Sequence, residues 1–324
     1  MPRPVSGRRS GQSGRGVRGN AMSLVLSIFL NDITPIFVLA GVGFLLARRA
    51  SASVRTLSTV SFHALSPCLV FAQLVTVRVG LSQSWRVALL CVLLTGAIGL
   101  AARAAASALR LEGITRTSFL LVVMFSNSGN YALPVALFAF GNEALAFASV
   151  YFVVSAILVY TFGVFVAASG RASLRTALGR VLRVPAVWAT VAAIAVMVSG
   201  RGVPEAVMRP VGLLGDAAIP VMLLVLGMQF ERHTKPEHPA AVGAAVGLSL
   251  LIAPMLAFAL ATGLGLVGAA RQAAILEASM PAAVATTVLA LEFDLDAGFS
   301  TSVVFFTTLL SPITLVLLIA YLQR

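Results

Sequence analysis

Residues 124 to 135 read Met-Phe-Ser-Asn-Ser-Gly-Asn-Tyr-Ala-Leu-Pro-Val, a polar, helix-breaking patch inside an apolar stretch that runs from Thr117 to Phe140. Unpaired backbone N–H and C=O groups are costly in hydrocarbon, so irregular backbone at membrane depth persists only where it lines a cavity or is buried in protein. The residue types here suit an anion. A half-helix restarting after the patch has free N–H groups and a partial positive end, Pro134 fits the first turn of such a restart, and Asn127 and Asn130 add neutral donors and acceptors. A second patch, Glu277-Ala278-Ser279-Met280-Pro281, repeats the punctuation. There Ser279 is expected to cap the restarted half-helix, with Thr286 and Thr287 further along it.

The elements around these patches are apolar. The chain of 324 residues is 59% hydrophobic and 10% charged, with a mean hydropathy of +0.99, whereas a soluble domain is about 25% charged. Runs of about 20 apolar residues place ten helices at roughly 24–47, 54–77, 86–109, 117–140, 144–168, 185–200, 210–230, 240–266, 270–291 and 298–322. The connections are too short for a separate soluble domain. The two halves echo each other. The second helix carries Leu65-Ser66-Pro67-Cys68 and the seventh Ala218-Ile219-Pro220-Val221, while the fourth and ninth carry the two patches. With five helices per half, the second half enters the membrane in the opposite sense. The expected fold is therefore an all-α polytopic membrane protein, ten transmembrane helices in a 5+5 inverted repeat with helices 4 and 9 broken. A lone membrane proline usually marks a kink, and Pro67 and Pro254 are read that way; two asparagines, a serine and a glycine ahead of Pro134 are not.

Charge orients the chain. The net charge of +12 lies in loops and the N-terminal tail rather than on one basic face, which argues against nucleic acid. Alternate loops from the first onward carry 12 basic residues, including Arg48, Arg49, Arg55, Arg103, Arg110 and Arg116, against 6 on the opposite side, such as Arg78, Arg86 and Arg271. The positive-inside rule then puts both termini in the periplasm of a bacterial inner membrane. The five arginines of residues 1–21 oppose that bias, so this basic, disordered tail is expected to be an over-extended start, with Met22 the true one. The first repeat is then 22–168, the cytoplasmic linker 169–184 and the second repeat 185–324. Arginine outnumbers lysine 22 to one, which suggests a GC-rich bacterial genome. Cys68 and Cys91 have no metal-ligand spacing and read as packing residues.

Four ordered motifs, Ser128-Gly129-Asn130-Tyr131-Ala132-Leu133-Pro134-Val135, Phe138-Ala139-Phe140-Gly141, Gly215-Asp216-Ala217-Ala218-Ile219-Pro220 and Glu277-Ala278-Ser279-Met280-Pro281-Ala282-Ala283-Val284, resemble the bacterial branch of the auxin efflux carrier family over Met22 to Leu322. The resemblance implies a ten-helix carrier in which helices 4 and 9 cross, with relatives moving auxin in plants and malonate, malate or oxalate in bacteria. On that pattern Asn127, Asn130 and Pro134 map to the first crossing segment, and Ser279 and Pro281 to the second; Tyr131 and Thr286, beside them in the two patches, are further expected substrate residues. Ala132 stands where the family commonly has glycine and Ala285 where relatives often have asparagine, so substrate identity does not transfer.

Ionisable groups inside apolar runs are functional candidates by default. Glu277, one turn before Pro281, is the best placed to couple a proton or sodium ion, with Asp32 and His63 as further candidates and Asp216 at an interface; a structural cap is the alternative role for Glu277. Burying a carboxylate costs several kcal/mol, whereas a helix end returns about 0.3–1 kcal/mol. An anionic substrate therefore needs the asparagine donors, water or a co-transported cation. No cofactor is expected beyond that ion, and the expected partners are a small organic anion, the lipid bilayer and, in a homodimer, a second copy. Enzyme motifs are absent: Gly263-Leu-Gly265-Leu-Val-Gly268 matches a dinucleotide fingerprint by letter only. The function so read is a secondary carrier of small mono- or dicarboxylates working by alternating access. A sodium/proton or bile-acid-type carrier of the same architecture, or a non-transporting membrane sensor, is the alternative.

Overall fold

Only helices and closed barrels satisfy every backbone group in lipid, and the computed structural model of the chain is all-helical. It describes residues 26–50, 52–77, 80–168, 182–230 and 238–323; the tail expected at 1–21 and residues 169–181 of the expected linker lie outside them. The helices are α1 (Leu26–Ala50), α2 (Val54–Val77), α3 (Leu81–Ala108), α4 (Gly113–Met124), α5 (Ser128–Ala167), α6 (Pro185–Ser199), α7 (Glu205–Gln229), α8 (Pro239–Gly263), α9 (Gly268–Ala278), α10 (Val284–Glu292) and α11 (Ala297–Leu322). Seven of them, all but α4, α6, α9 and α10, are long and apolar enough to cross a membrane. Gly141, at φ 79° and ψ −168°, interrupts α5 where the sequence separates its fourth and fifth apolar runs.

Prolines shape these helices without breaking them. Four of the five π turns among the described residues, Phe29–Ile33, Ser61–Leu65, Ser128–Ala132 and Leu248–Ile252, end two residues before a proline: Pro35, Pro67, Pro134 and Pro254. A proline ring clashes with the carbonyl four residues back and offers no N–H, and a wider turn relieves the clash. Before Pro35 and Pro67 a hydroxyl also bonds a carbonyl five residues back, Thr34 to Phe29 and Ser66 to Ser61, both at 2.8 Å.

Among the described residues genuine unwinding occurs twice. Phe125–Asn127 separates α4 from α5, and Ser279–Ala283 separates α9 from α10. The first break therefore lies upstream of the expected one. Pro134 sits in the second turn of α5 rather than the first, because the chain resumes helix at Ser128 and widens to accept the ring.

The packing partners interchange between halves: α1 packs on α7 while α6 packs on α2, and α3 packs on α4 as α8 does on α9. The turns leading into α4 and α9 are built alike. Leu109, Arg110 and Leu111 donate to Ala105, Ser107 and Ala106, and Leu264, Gly265 and Leu266 donate to Leu260, Thr262 and Ala261. Arg110 and Gly113 (φ 54° each) match Gly265 and Gly268 (φ 63° and 53°). The glycine-rich Gly263–Gly268 stretch is this turn. At the bundle end where it lies, Arg86 donates to the Leu264 and Gly265 carbonyls at 3.1 Å, and Gln323 Nε2 to the Ala139 carbonyl at 3.0 Å. At the other end Asp296 caps α11 through the Phe299 N–H at 2.8 Å and accepts from the Thr115 hydroxyl of α4 at 2.9 Å.

The α1–α7 contact depends on two glycines. A Cβ on Gly227 would overlap the Ala40 carbonyl, and one on Gly43 the Leu224 carbonyl. Backbone cannot swing aside as a side chain can, so Gly227→Val is expected to cost at least about 1–3 kcal/mol, read as a lower melting temperature in detergent. Gly41→Ala, whose added Cβ meets nothing within 4 Å, should leave it unchanged.

Candidate functional site: the paired helix breaks

The two breaks satisfy each other. Asn127 N–H donates to the Pro281 carbonyl at 2.7 Å and Ala283 N–H to the Phe125 carbonyl at 2.9 Å, an antiparallel bridge centred on Ser126 and Ala282. Ala282 N–H is taken by the Thr307 hydroxyl of α11 at 3.1 Å, which itself donates to Val303 at 2.7 Å. Extended backbone buried between the helices is thus paired rather than left open, as a low dielectric requires.

The bridge places two helix starts together. Ser128 and Val284 each begin a helix two residues beyond a bridged residue, and neither start has a side-chain cap. The first N–H groups of a helix have no intrahelical acceptor, so each start is a donor-rich, partly positive end. Asn127 stands at the first start but does not cap it; it is 6% exposed, and its Nδ2 has no partner among the described residues. Asn130, in the first turn of α5, is half-buried.

The hydroxyls expected to bind are otherwise engaged. Ser279 is the C-cap of α9, and its hydroxyl donates to Ile275 at 2.6 Å. It does not cap α10, because the break is long enough to make Ala283 the N-cap. Thr286 is fully buried and donates to the Ala283 carbonyl at 2.6 Å. Both protons being spent, these oxygens can only accept, which suits a cation or a donor better than a carboxylate. Tyr131 is fully buried, its hydroxyl 3.1 Å from Ser311 Oγ and its ring edge-on to Phe37, a wedge between α5 and its neighbours. Pro134 and Pro281 are buried in the wall.

Glu277 belongs to the same place. It is fully buried near the end of α9, and neither carboxyl oxygen has a hydrogen-bond partner among the described residues. The capping role is therefore not what its contacts describe. Around it are residues that sequence patterns did not single out. Tyr151 reaches Ser126 and Cys91, Cys91 reaches Thr95, and Glu277 lies near enough to act electrostatically on both Tyr151 and Cys91. A cavity of about 20 Å³ lies among Thr95, Ser126, Tyr151 and Ser249, room for about one water; the Ser249 hydroxyl is buried and unpartnered among the described residues. Ser126 stood inside the polar patch, while Tyr151, Thr95 and Ser249 sit in apolar runs with no local signal.

Asp32 and His63 are not in this cluster. Asp32 faces Gln323 at the end of α11, and His63 is exposed on α2 with Nδ1 3.1 Å from the Thr59 carbonyl. Asp216 is exposed on α7. Among the described residues no group of His, Cys, Asp and Glu is arranged to hold a metal ion.

The chain is similar to a known family and to two known proteins. The family model described as membrane transport protein matches residues 28–319. An uncharacterized transporter of Methanothermobacter thermautotrophicus is 27% identical over 262 residues, 80% of this chain and 86% of that protein. Another uncharacterized transporter, from Methanocaldococcus jannaschii, is 25% identical over 202 residues, 61% of this chain and 66% of that protein.

Proposed function

The chain belongs to the membrane transport protein family, which includes the auxin efflux carriers, and from that premise we propose that it is a secondary carrier moving a small organic anion by alternating access, the anion held where the two breaks meet. The observation that carries this reading is the pair of uncapped helix starts joined by an antiparallel bridge, beside a buried asparagine whose Nδ2 has no partner among the described residues. Two partial positive ends and donors on Asn127 and Asn130 recognise a carboxylate without a fixed cation. Free backbone N–H groups, rather than the Ser279 and Thr286 hydroxyls, do most of the binding.

The architecture proposed for this carrier is ten spans in a 5+5 inverted repeat, the fourth span being α4 with the first part of α5 and the ninth α9 with α10, crossing at the bridge. Three features support it: the interchanged packing partners, the matching turns before α4 and α9, and two breaks at corresponding places. The charge bias supports both termini outside. Glu112→Cys should then be labelled only from the cytoplasmic side and Gly202→Cys only from outside, in a Cys68→Ala/Cys91→Ala background; the reverse pattern overturns the orientation.

Glu277 is the proposed coupling group. A carboxylate with no donor in a buried site is poorly compensated, so a proton or sodium ion accompanies it, and neutralising it on the α9 side favours an anion on the α5 side of the same bridge. The test is flux in proteoliposomes with labelled malonate, malate, oxalate and indole acetate, with and without sodium and a pH gradient. Saturable flux of at least one of them is expected. Cation flux that needs no anion would instead make the protein a sodium/proton-type carrier.

A further inference from the structure

A second binding surface runs along the outer flank of the second break, with Ser279 at its floor. Between α8 and α11 runs a groove of about 860 Å³, open along its side and apolar along its walls. Its rim residues Leu251, Met255, Leu317 and Tyr321 are each more than half exposed, as side chains facing acyl chains would be. One charge stands at its mouth. Arg271, near the start of α9, is half-buried and has no carboxylate partner among the described residues. Its guanidinium lies over the Phe258 ring, 5.5 Å from the centroid, and the same ring meets Tyr321 edge-on at 5.4 Å. The mouth is fixed by a bond from Gln272 Nε2 to the Leu322 carbonyl at 2.9 Å. A cation is thus held in place with no carboxylate among the described residues to neutralise it.

We propose that this groove is a binding site for an anionic membrane phospholipid, its headgroup phosphate on Arg271 and one acyl chain along the α8–α11 wall. Charge complementarity selects the headgroup, because Arg matches phosphate geometry with its planar fork of donors. Length selects the tail. From Thr262 at the mouth to Leu250 at the inner end, α8 rises about 18 Å at 1.5 Å per residue, slightly more than half the ~30 Å hydrocarbon core. That is one leaflet, with the headgroup at the surface and the chain end near the bilayer centre. A small dicarboxylate would find one cation and a long apolar trough. The inference stands independently of which anion the breaks carry.

The experiment is native mass spectrometry of the full chain released from detergent after incubation with equal amounts of dioleoyl phosphatidylglycerol and dioleoyl phosphatidylcholine. The parent should retain one phosphatidylglycerol, preferred by about fivefold, the order of one arginine's attraction to anionic lipid. Arg271→Gln should erase the preference, while Arg209→Gln, on α7, should keep it. Leu251→Trp, which narrows the groove at an exposed position and leaves every charge in place, should cut retention of both lipids at least fivefold, and it carries the test if Arg271→Gln does not fold. Equal retention of the two lipids by the parent, or an undiminished preference in Arg271→Gln, would overturn the proposal. So would unchanged retention in Leu251→Trp, displacement of the lipid by an equal concentration of dodecanoate, which gives the groove to a free amphipathic anion, or a dimer mass with no lipid, which gives it to a second copy.

Discussion

Asn127→Ala should cut carrier-mediated anion flux at least about tenfold while raising the melting temperature. The side-chain amide is buried with its Nδ2 unpaired among the described residues, and leaving a buried donor unsatisfied costs about 1–3 kcal/mol. Removing it relieves that cost in the empty protein. In the loaded protein the same amide donates to a carboxylate, a charge-assisted bond of about 1.5–3 kcal/mol, so its loss should reduce flux at least about tenfold. Stability and activity then move in opposite directions, as at sites strained for function. A merely structural asparagine would lose both together. Asn130→Ala should lose flux to a similar degree without the gain in stability, because Asn130 is only half-buried. Cys68→Ala, away from the breaks, should alter neither. Flux through the Asn127→Ala and Asn130→Ala variants at the parent rate would remove the breaks from the pathway.

The second large effect is expected at Glu277. Glu277→Gln preserves shape and hydrogen-bonding capacity while removing the charge. Neither oxygen of the parent residue is held by the protein among the described residues, so no cap is lost and the fold should survive. If Glu277 carries the coupled cation, flux driven by a proton or sodium gradient should fall at least about tenfold, the range of a buried charge interaction of a few kcal/mol. Exchange of anion for anion across the vesicle should persist. Driven flux with the parent's pH and sodium dependence would make Glu277 a bystander. The neighbours give a graded version of the test: Tyr151→Phe removes a hydroxyl from the cluster around Glu277 and Ser126, and should weaken cation dependence less than Glu277→Gln does.

The apolar runs were legible because membrane helices are written locally, in about 20 residues each. The site was legible only in outline. Two asparagines and a glycine ahead of Pro134 marked the region, but the proline drew the expected break downstream. A missing N–H can be absorbed by a π turn, as at Pro35, Pro67 and Pro254, whereas the unwinding at Phe125–Asn127 is held by partners on Pro281 and Ala283, more than 150 residues away. No local pattern encodes such a pairing. The cap expected from Ser279 was displaced for a related reason. Ser279 and Thr286 have the chemistry to donate, yet in a helix a serine or threonine readily bonds a carbonyl three or four residues back, and both do. Tyr151 and Ser249 lie in apolar stretches, so only the fold brings them together beside Ser126, and Tyr151 within reach of Glu277. The matching turns before α4 and α9 also escape the sequence, since Leu109-Arg110-Leu111-Glu112-Gly113 and Leu264-Gly265-Leu266-Val267-Gly268 share two leucines and a glycine but nearly one backbone path.

The central claim, that a small organic anion binds at the paired breaks, is tested most directly by thermal shift of the purified parent beside Asn127→Ala and Asn130→Ala. The screen covers malonate, malate, oxalate, indole acids and bile acids at two pH values, with and without sodium. A ligand at a hundred times its Kd stabilises the folded state by about 2.7 kcal/mol, a readily measured shift. The account predicts that at least one small mono- or dicarboxylate raises the melting temperature of the parent, and that the rise is lost in both variants. A carboxylate that stabilises parent and variants equally, or stabilisation by cations alone, would contradict it.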